Sequence, residues 1–159
     1  MNKQQLVESI CRQIETDSAA AKAAALATYE AATGEESQPE NEYDTRALEA
    51  SYLAGAQAKR VQELDEALAI FKRMELKPFA ENDAIGVSAL VQLELNRKVL
   101  TVFLVPGRRG LTLEHEGQSI QVITMQSPLG EALLGLREGD IAGVETPNRR
   151  MEYEVLSVS

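Results

Sequence analysis

Hydrophobic spacing changes character along the chain near Lys77-Pro78. Before that point, apolar and small residues recur in alternating steps of three and four, the spacing of a coiled-coil seam. After it, they alternate singly or gather in short β-branched runs bounded by Gly and Pro, the grammar of strands and turns. The first half is otherwise rich in Ala, Leu, Glu, Lys, Gln and Arg, all good helix formers, except between Gly34 and Tyr43 and at a lone Gly55. The pattern predicts a helical segment over 1–76 and an α+β domain over 79–159.

The helical segment holds two seams. One runs Val7, Ile10, Ile14, Asp17, Ala21, Ala24, Thr28, Ala31, and the other Ala47, Ala50, Ala54, Gln57, Val61, Leu64, Leu68, Phe71. Paired from opposite ends, from Val7 with Phe71 to Ala31 with Ala47, the two positions always sum to 78. A constant sum is what an antiparallel helical hairpin requires, and it puts the tip at Pro39, within Gly34-Glu-Glu-Ser-Gln-Pro-Glu-Asn, a stretch that breaks helices and makes turns. Large seam residues (Ile10, Ile14, Leu64, Leu68, Phe71) lie at the base and small ones toward the tip, which predicts an arm that is slender at its far end. At ~1.5 Å rise per residue, about 28 residues make an arm on the order of 40 Å long.

In the second half, Val87 to Leu95 and Lys98 to Val105 read as strands joined by a turn at Asn96-Arg97. Leu111 to Glu114 and Ser119 to Met125 follow the loop Pro106-Gly-Arg-Arg-Gly. Ser127 then caps a short helix with Pro128 at its first position; Leu129, Leu133 and Leu134 face the sheet from it, and Gly135 ends it. Ile141 to Glu145 and Met151 to Val158, separated by the turn Pro147-Asn-Arg-Arg, close the domain. The expectation is a curved antiparallel sheet with one short helix across it.

Composition narrows the chemistry. Of 159 residues only 4% are aromatic and none is Trp, so the core must be aliphatic. The net charge of −9 disfavours direct binding to nucleic-acid phosphates or anionic lipid. Residues 1–76 hold fourteen acids against eight bases, which is −6 of that total. Five of the acids (Glu35, Glu36, Glu40, Glu42, Asp44) crowd the tip at 35–44, where no base stands. The single cysteine, Cys11, excludes an internal disulfide. No apolar run reaches the ~18 residues of a membrane span, and the polar start is no signal peptide. The reading is a soluble, cytoplasmic chain without a membrane partner.

No catalytic set of the chain's own is found. His115 reads as a loop residue, and Cys11 has no histidine beside it to activate it. Walker loops, dinucleotide fingerprints and nucleophile elbows are missing from the sequence. Arg108-Arg109 and Arg149-Arg150 are compact basic features that suit soluble turns or docking to an acidic partner. Carboxylates on the tip suit a hard cation such as Mg²⁺, although two or three on one turn complete a site rather than build one. They fit the delivery of ligands to a metal centre held mostly by another molecule.

The C-terminal stretch Ser127-Pro-Leu-Gly-Glu-Ala-Leu-Leu-Gly-Leu-Arg-Glu-Gly-Asp140, with Thr146-Pro147 and Glu152-Tyr-Glu-Val-Leu, resembles the GreA/GreB family of bacterial transcript-cleavage factors. At the tip, Glu40-Asn41-Glu42-Tyr43 resembles that family's Glu-Asn-Ala-Glu-Tyr, one residue shorter. The resemblance implies a coiled-coil hairpin followed by an FKBP-like domain, binding at the RNA polymerase secondary channel, and nascent RNA and DNA as indirect partners. It also implies that tip carboxylates approach the polymerase Mg²⁺ and promote cleavage of backtracked RNA, with no cofactor of the factor's own. Carried onto this chain, the metal-directed acids are Glu40 with Glu36, Glu35 or Glu42, while Asn41, Tyr43 and Pro39 shape the tip. Docking falls to Ser127, Pro128, Leu129, Gly130 and Leu133. The family's tip has Asp and Glu three apart; here Glu40 matches the second acid and Ser37 stands at the first.

Three other readings compete. A polymerase-binding regulator would occupy the channel without stimulating cleavage, as in anti-cleavage homologues or DksA. A peptidyl-prolyl isomerase would share the FKBP-like topology, but this half offers only Phe79, Phe103 and Tyr153 to line a pocket. A plain interaction module would use hairpin and sheet as scaffolds. The chain is expected to be a monomer.

Overall fold

The helix-forming first half gives two helices, α1 (Lys3–Thr33) and α2 (Arg46–Arg73). The computed structural model describes residues 1–33, 46–107 and 110–159. Asn2 caps α1: its side-chain oxygen accepts from the backbone N–H of Gln4 at 2.9 Å and of Gln5 at 3.4 Å. Lys72 and Arg73 occupy the last turn of α2, where cations suit the helix dipole. The chain divides into two compact units, one comprising Cys11–Ala69 and the other Met1–Ile10 with Ile70–Ser159.

Within the helical unit the α2 seam falls where its spacing predicts from Ala54 onward; the side chains of Ala47 and Ala50 lie outside the described residues. Ala54, Gln57, Val61 and Leu68 are half-buried and Leu64 is buried. Beyond Ile14 the α1 seam holds at Ala21, which is buried, and Thr28, which is half-buried, and departs at the positions between and after them. Ser18 is buried and Ala25 half-buried, while Asp17 is only half-buried and Ala24 and Ala31 are exposed. A straight α-helix drifts ~20° per heptad against a strict seven-residue repeat, so the buried stripe slides to the next residue along.

Polar contacts set the pairing of the two helices. The Ser18 hydroxyl donates to the Asp65 carboxylate at 2.9 Å, and Lys22 Nζ lies 3.6 Å from the same group. The Thr28 hydroxyl and the Gln57 amide hydrogen-bond at 2.9 Å. These contacts confirm antiparallel helices, but they centre on a positional sum near 85 rather than 78. The difference is about one heptad. A seam that repeats every seven residues buries the same positions in either register, so hydrophobic spacing alone could not separate them.

The other unit is built on a six-stranded sheet. Its strands are β1 (Leu90–Leu95), β2 (Lys98–Val105), β3 (Leu111–His115), β4 (Gln118–Thr124), β5 (Ile141–Glu145) and β6 (Arg150–Val158), in the order β3-β4-β2-β1-β6-β5. β1 and β2 meet at Asn96-Arg97, both with positive φ (52° and 64°), as a tight hairpin turn requires. The expected all-antiparallel sheet is corrected at one place: β2 and β4 pair in parallel. The strand that follows β2 in sequence, β3, lies at the sheet edge, and β4 sits between it and β2. A short Gly-rich loop looks the same in sequence whether it joins neighbours or skips one.

The sheet is buried on both faces at β2, where Thr101 to Val105 are all buried. One face packs Val91, Leu93, Val102, Leu104, Ala142, Val144, Tyr153 and Val155 beneath the short helix α3 (Pro128–Leu133), whose Leu133 is fully buried among them. The other face carries Phe103, Leu113, Ile120 and Val122, also buried. The bases of both long helices meet this second face. Ser9 bonds His115 Nδ1 at 3.1 Å, and Ile70 lies 3.2 Å from where a Cβ on Gly107 would sit. His115 is therefore the last residue of β3, not a loop residue. The buried His115 Nε2 has no hydrogen-bond partner among the described residues.

Lys3 fastens the first turn of α1 to the segment that enters the sheet. Its ammonium donates to the carbonyls of Lys77 and Ser88 and lies 4.8 Å from the Phe79 ring centre. Burial holds its pKa below the ordinary lysine value.

Gly55 lies inside α2 with open space where a Cβ would go. Gly55→Ala is expected to stabilise the helical unit by about 0.5–1 kcal/mol through lost backbone entropy of the unfolded chain, read as a higher urea midpoint.

Candidate functional site

Two regions carry the site residues expected from sequence. The first is the turn between α1 and α2. Glu35, Glu36, Pro39, Glu40, Asn41, Glu42 and Tyr43 all fall in residues 34–45, outside the described residues, as do Arg108 and Arg109. What the structure places is the helix pair on either side: α1 ends at Thr33 and α2 begins at Arg46.

The second region is the corner where β4 turns into α3, and here local sequence dictates the geometry closely. The Ser127 hydroxyl donates to Thr124 O at 2.7 Å and accepts from the backbone N–H of Gly130 at 3.1 Å, which makes Ser127 the N-cap. Its own backbone N–H reaches Thr124 O at 3.1 Å, so one carbonyl anchors the turn twice. Pro128 at the first helical position has no N–H to leave unsatisfied, and it is exposed. A Cβ on Gly130 would lie 1.9 Å from Thr124 O, so only glycine allows this approach of helix to strand.

Of the five docking candidates, then, Gly130 and Leu133 are buried, Ser127 and Leu129 are half-buried, and Pro128 is exposed. Leu129 packs against the core cluster. Leu134 departs from expectation, since it is 40% exposed rather than packed on the sheet. It is the C-cap, with φ −53° and ψ 126°, so helical periodicity has already ended there. Gly135 follows with φ 81°, and Leu136 packs against the core in its place. Beside the corner is a cleft of about 430 Å³ lined by Gly110, Val122, Ile123, Thr124, Gln126 and Ser127. Among the described residues no group of three or more His, Cys, Asp or Glu is arranged to hold a metal ion.

Arg149 and Arg150 divide their roles. Arg149 closes the turn with Thr146, whose hydroxyl donates to Arg149 O at 2.7 Å. Arg150 pairs with Glu145 at 3.4 Å and Glu152 at 3.5 Å.

Residues 80–159, which contain all six strands and α3, match the family described as transcription elongation factor, GreA/GreB, C-terminal. The chain belongs to the GreA/GreB family. GreA/GreB proteins are transcription factors rather than enzymes, and this member is a factor in that sense. It is 30% identical over 121 residues to the transcription inhibitor protein Gfh1 of Thermus thermophilus, covering 74% of this chain and 73% of that protein. It is 26% identical over 116 residues to transcription elongation factor GreA of Thermomicrobium roseum, covering 73% and 68%. The crystal structure of Thermus thermophilus Gfh1 aligns over 94% of each chain with a TM-score of 0.40 and 20% identity. Among the described residues, no helix is long and apolar enough to cross a membrane.

Gly130→Ala is expected to cost roughly 3 kcal/mol, because the clashing atom is main-chain and cannot rotate away. Urea unfolding of the full chain should show a lower midpoint at an unchanged slope.

Proposed function

We propose that this chain binds bacterial RNA polymerase at its secondary channel and inserts the acidic-tipped helix pair toward the catalytic Mg²⁺, promoting cleavage of backtracked RNA. The observation that carries the reading is the membership of the C-terminal domain in the GreA/GreB family, joined to a helix pair whose connecting segment holds five acids and no base. The polymerase itself is the enzyme and the direct partner; nascent RNA and DNA are reached only through it. Binding as a monomer, in the cytoplasm, belongs to the same reading.

The chemistry follows from the donor set. Mg²⁺ prefers oxygen ligands and keeps several waters, so one or two carboxylates complete its coordination without enclosing it. A second ion beside the first activates water for phosphodiester hydrolysis. Glu40, with Glu36, Glu35 or Glu42, supplies carboxylate oxygens at the turn, and Pro39, Asn41 and Tyr43 shape it. Docking through the β4–α3 corner uses the exposed Pro128 and the half-buried Leu129, held in place by Ser127, Gly130 and Leu133.

A second reading is favoured by two observations: Ser37 stands where the family has its first acid, and the relative of 30% identity is named a transcription inhibitor. In that reading the arm occupies the channel and leaves cleavage unstimulated, as a DksA-like regulator would.

Both readings are tested by RNA cleavage in a purified backtracked bacterial elongation complex with Mg²⁺. Acceleration is expected with the wild-type chain and a loss of at least ~10-fold with Glu40→Ala, as for removal of a group that acts only in the transition state. No acceleration, together with competition against a cleavage factor, assigns the chain to the channel-occupying regulators. Neither acceleration nor competition refutes polymerase binding.

A further inference from the structure

Four adjacent strands share one row of side chains on the sheet face opposite the α3 core. Val99 on β2 is the registered partner of Glu94 on β1, Glu94 of Glu154 on β6, and Glu154 of Ile141 on β5. Their chain neighbours Leu93, Tyr153, Val155 and Ala142 point the other way, into the core. The ends of the row are apolar and open: Val99 is 60% exposed and Ile141 59%, the two large apolar strand residues left more than half exposed among the described residues. Its middle is two carboxylates directly opposite each other, with Cβ atoms roughly 5 Å apart, an arrangement that like charges disfavour.

The neighbouring polar groups on this face are satisfied. Glu145 and Glu152 share Arg150, and Gln92 accepts from the Ser157 hydroxyl at 3.4 Å. The Glu94 and Glu154 carboxylates are not: among the described residues no hydrogen bond or ion pair reaches either side chain. Glu94 is half-buried, which reduces the water available to screen it.

We propose that this row docks an α-helix of a partner protein carrying two basic residues between two apolar ones. The apolar ends ask for cover and the paired carboxylates ask for cations, and one helix crossing the strands supplies both. With strands ~4.8 Å apart, the row from Val99 to Ile141 spans roughly 14 Å. That is about ten residues of helix, so the matching pattern is apolar, basic, basic, apolar at about i, i+3, i+7 and i+10, all on one helix face. A divalent cation is the poorer fit: two carboxylates on a sheet give too few ligands, and an ion leaves Val99 and Ile141 uncovered. The surface is separate from the β4–α3 corner and does not rest on binding in the polymerase channel.

The test is a titration of the ¹⁵N-labelled full chain with a synthetic helical peptide bearing Leu, Arg, Arg and Leu at those spacings. Amide shifts are expected to centre on residues 94, 99, 141 and 154. Affinity should fall roughly tenfold in the Glu94→Gln, Glu154→Gln double variant, and stay within about twofold in the Glu145→Gln, Glu152→Gln pair. The Glu94→Gln, Glu154→Gln chain should melt no lower than wild type, since it loses only repulsion, so weaker binding cannot be ascribed to unfolding. Shifts centred elsewhere, equal binding by both double variants, or equal binding of a peptide with Glu in place of Arg overturns the proposal. So does a Mg²⁺ titration that perturbs the row while the peptide does not, or dimerisation of the chain through these residues.

Discussion

The constraint on which the rest of the sheet unit depends is that β2 is buried on both faces. A strand whose residues 101–105 are all removed from water needs cover above and below. α3 covers one side, with Leu133 in the cluster of Val91, Leu93 and Val155. The first turns of α1 and the end of α2 meet the other side, where the Ser9–His115 bond and Ile70 over Gly107 mark their positions. The base of each helix is thus part of the sheet unit, although the spacing of its apolar residues continues into the helical unit. The family match over residues 80–159 thus leaves out helix ends that belong to the same compact unit as the sheet.

In the helical unit the corresponding constraint is polar. Ala-rich seams bury little and repeat every heptad, so they leave the register open by seven residues. Ser18 with Asp65 and Thr28 with Gln57 close it. A polar pair in a seam adds little net stability, yet mispairing strands a buried hydroxyl, which costs more than the pair contributes. Gln57, a blemish on a purely hydrophobic view of the seam, is one of the residues that fix the pairing.

The chain separates holding from acting. Ser127, Gly130 and Leu133, prominent in the family-like motif, are mostly internal: they cap, permit close approach, or fill the core. The groups free to meet another molecule lie around them, at Pro128 and Leu134 and along the row from Val99 to Ile141. A motif in sequence therefore marks where the backbone must take one shape, and exposure decides which of its neighbours can be touched.

Much of this was legible in the sequence because it is local. Helix propensity, strand alternation, the positive-φ turn at Asn96-Arg97, the Ser127 cap with Pro128 and the stop at Gly135 each follow from a few adjacent residues. So do the charge at the tip and the resemblance that led to the GreA/GreB family. Tertiary structure alone decided the parallel pairing of β2 with β4, the heptad by which the helices are offset, the exposure of Leu134 and the place of His115 against α1. It also aligned Glu94 with Glu154, sixty positions apart in sequence. Each of these turns on which distant segments become neighbours, a choice settled by the free energy of the whole packed arrangement and carried by no short stretch of chain.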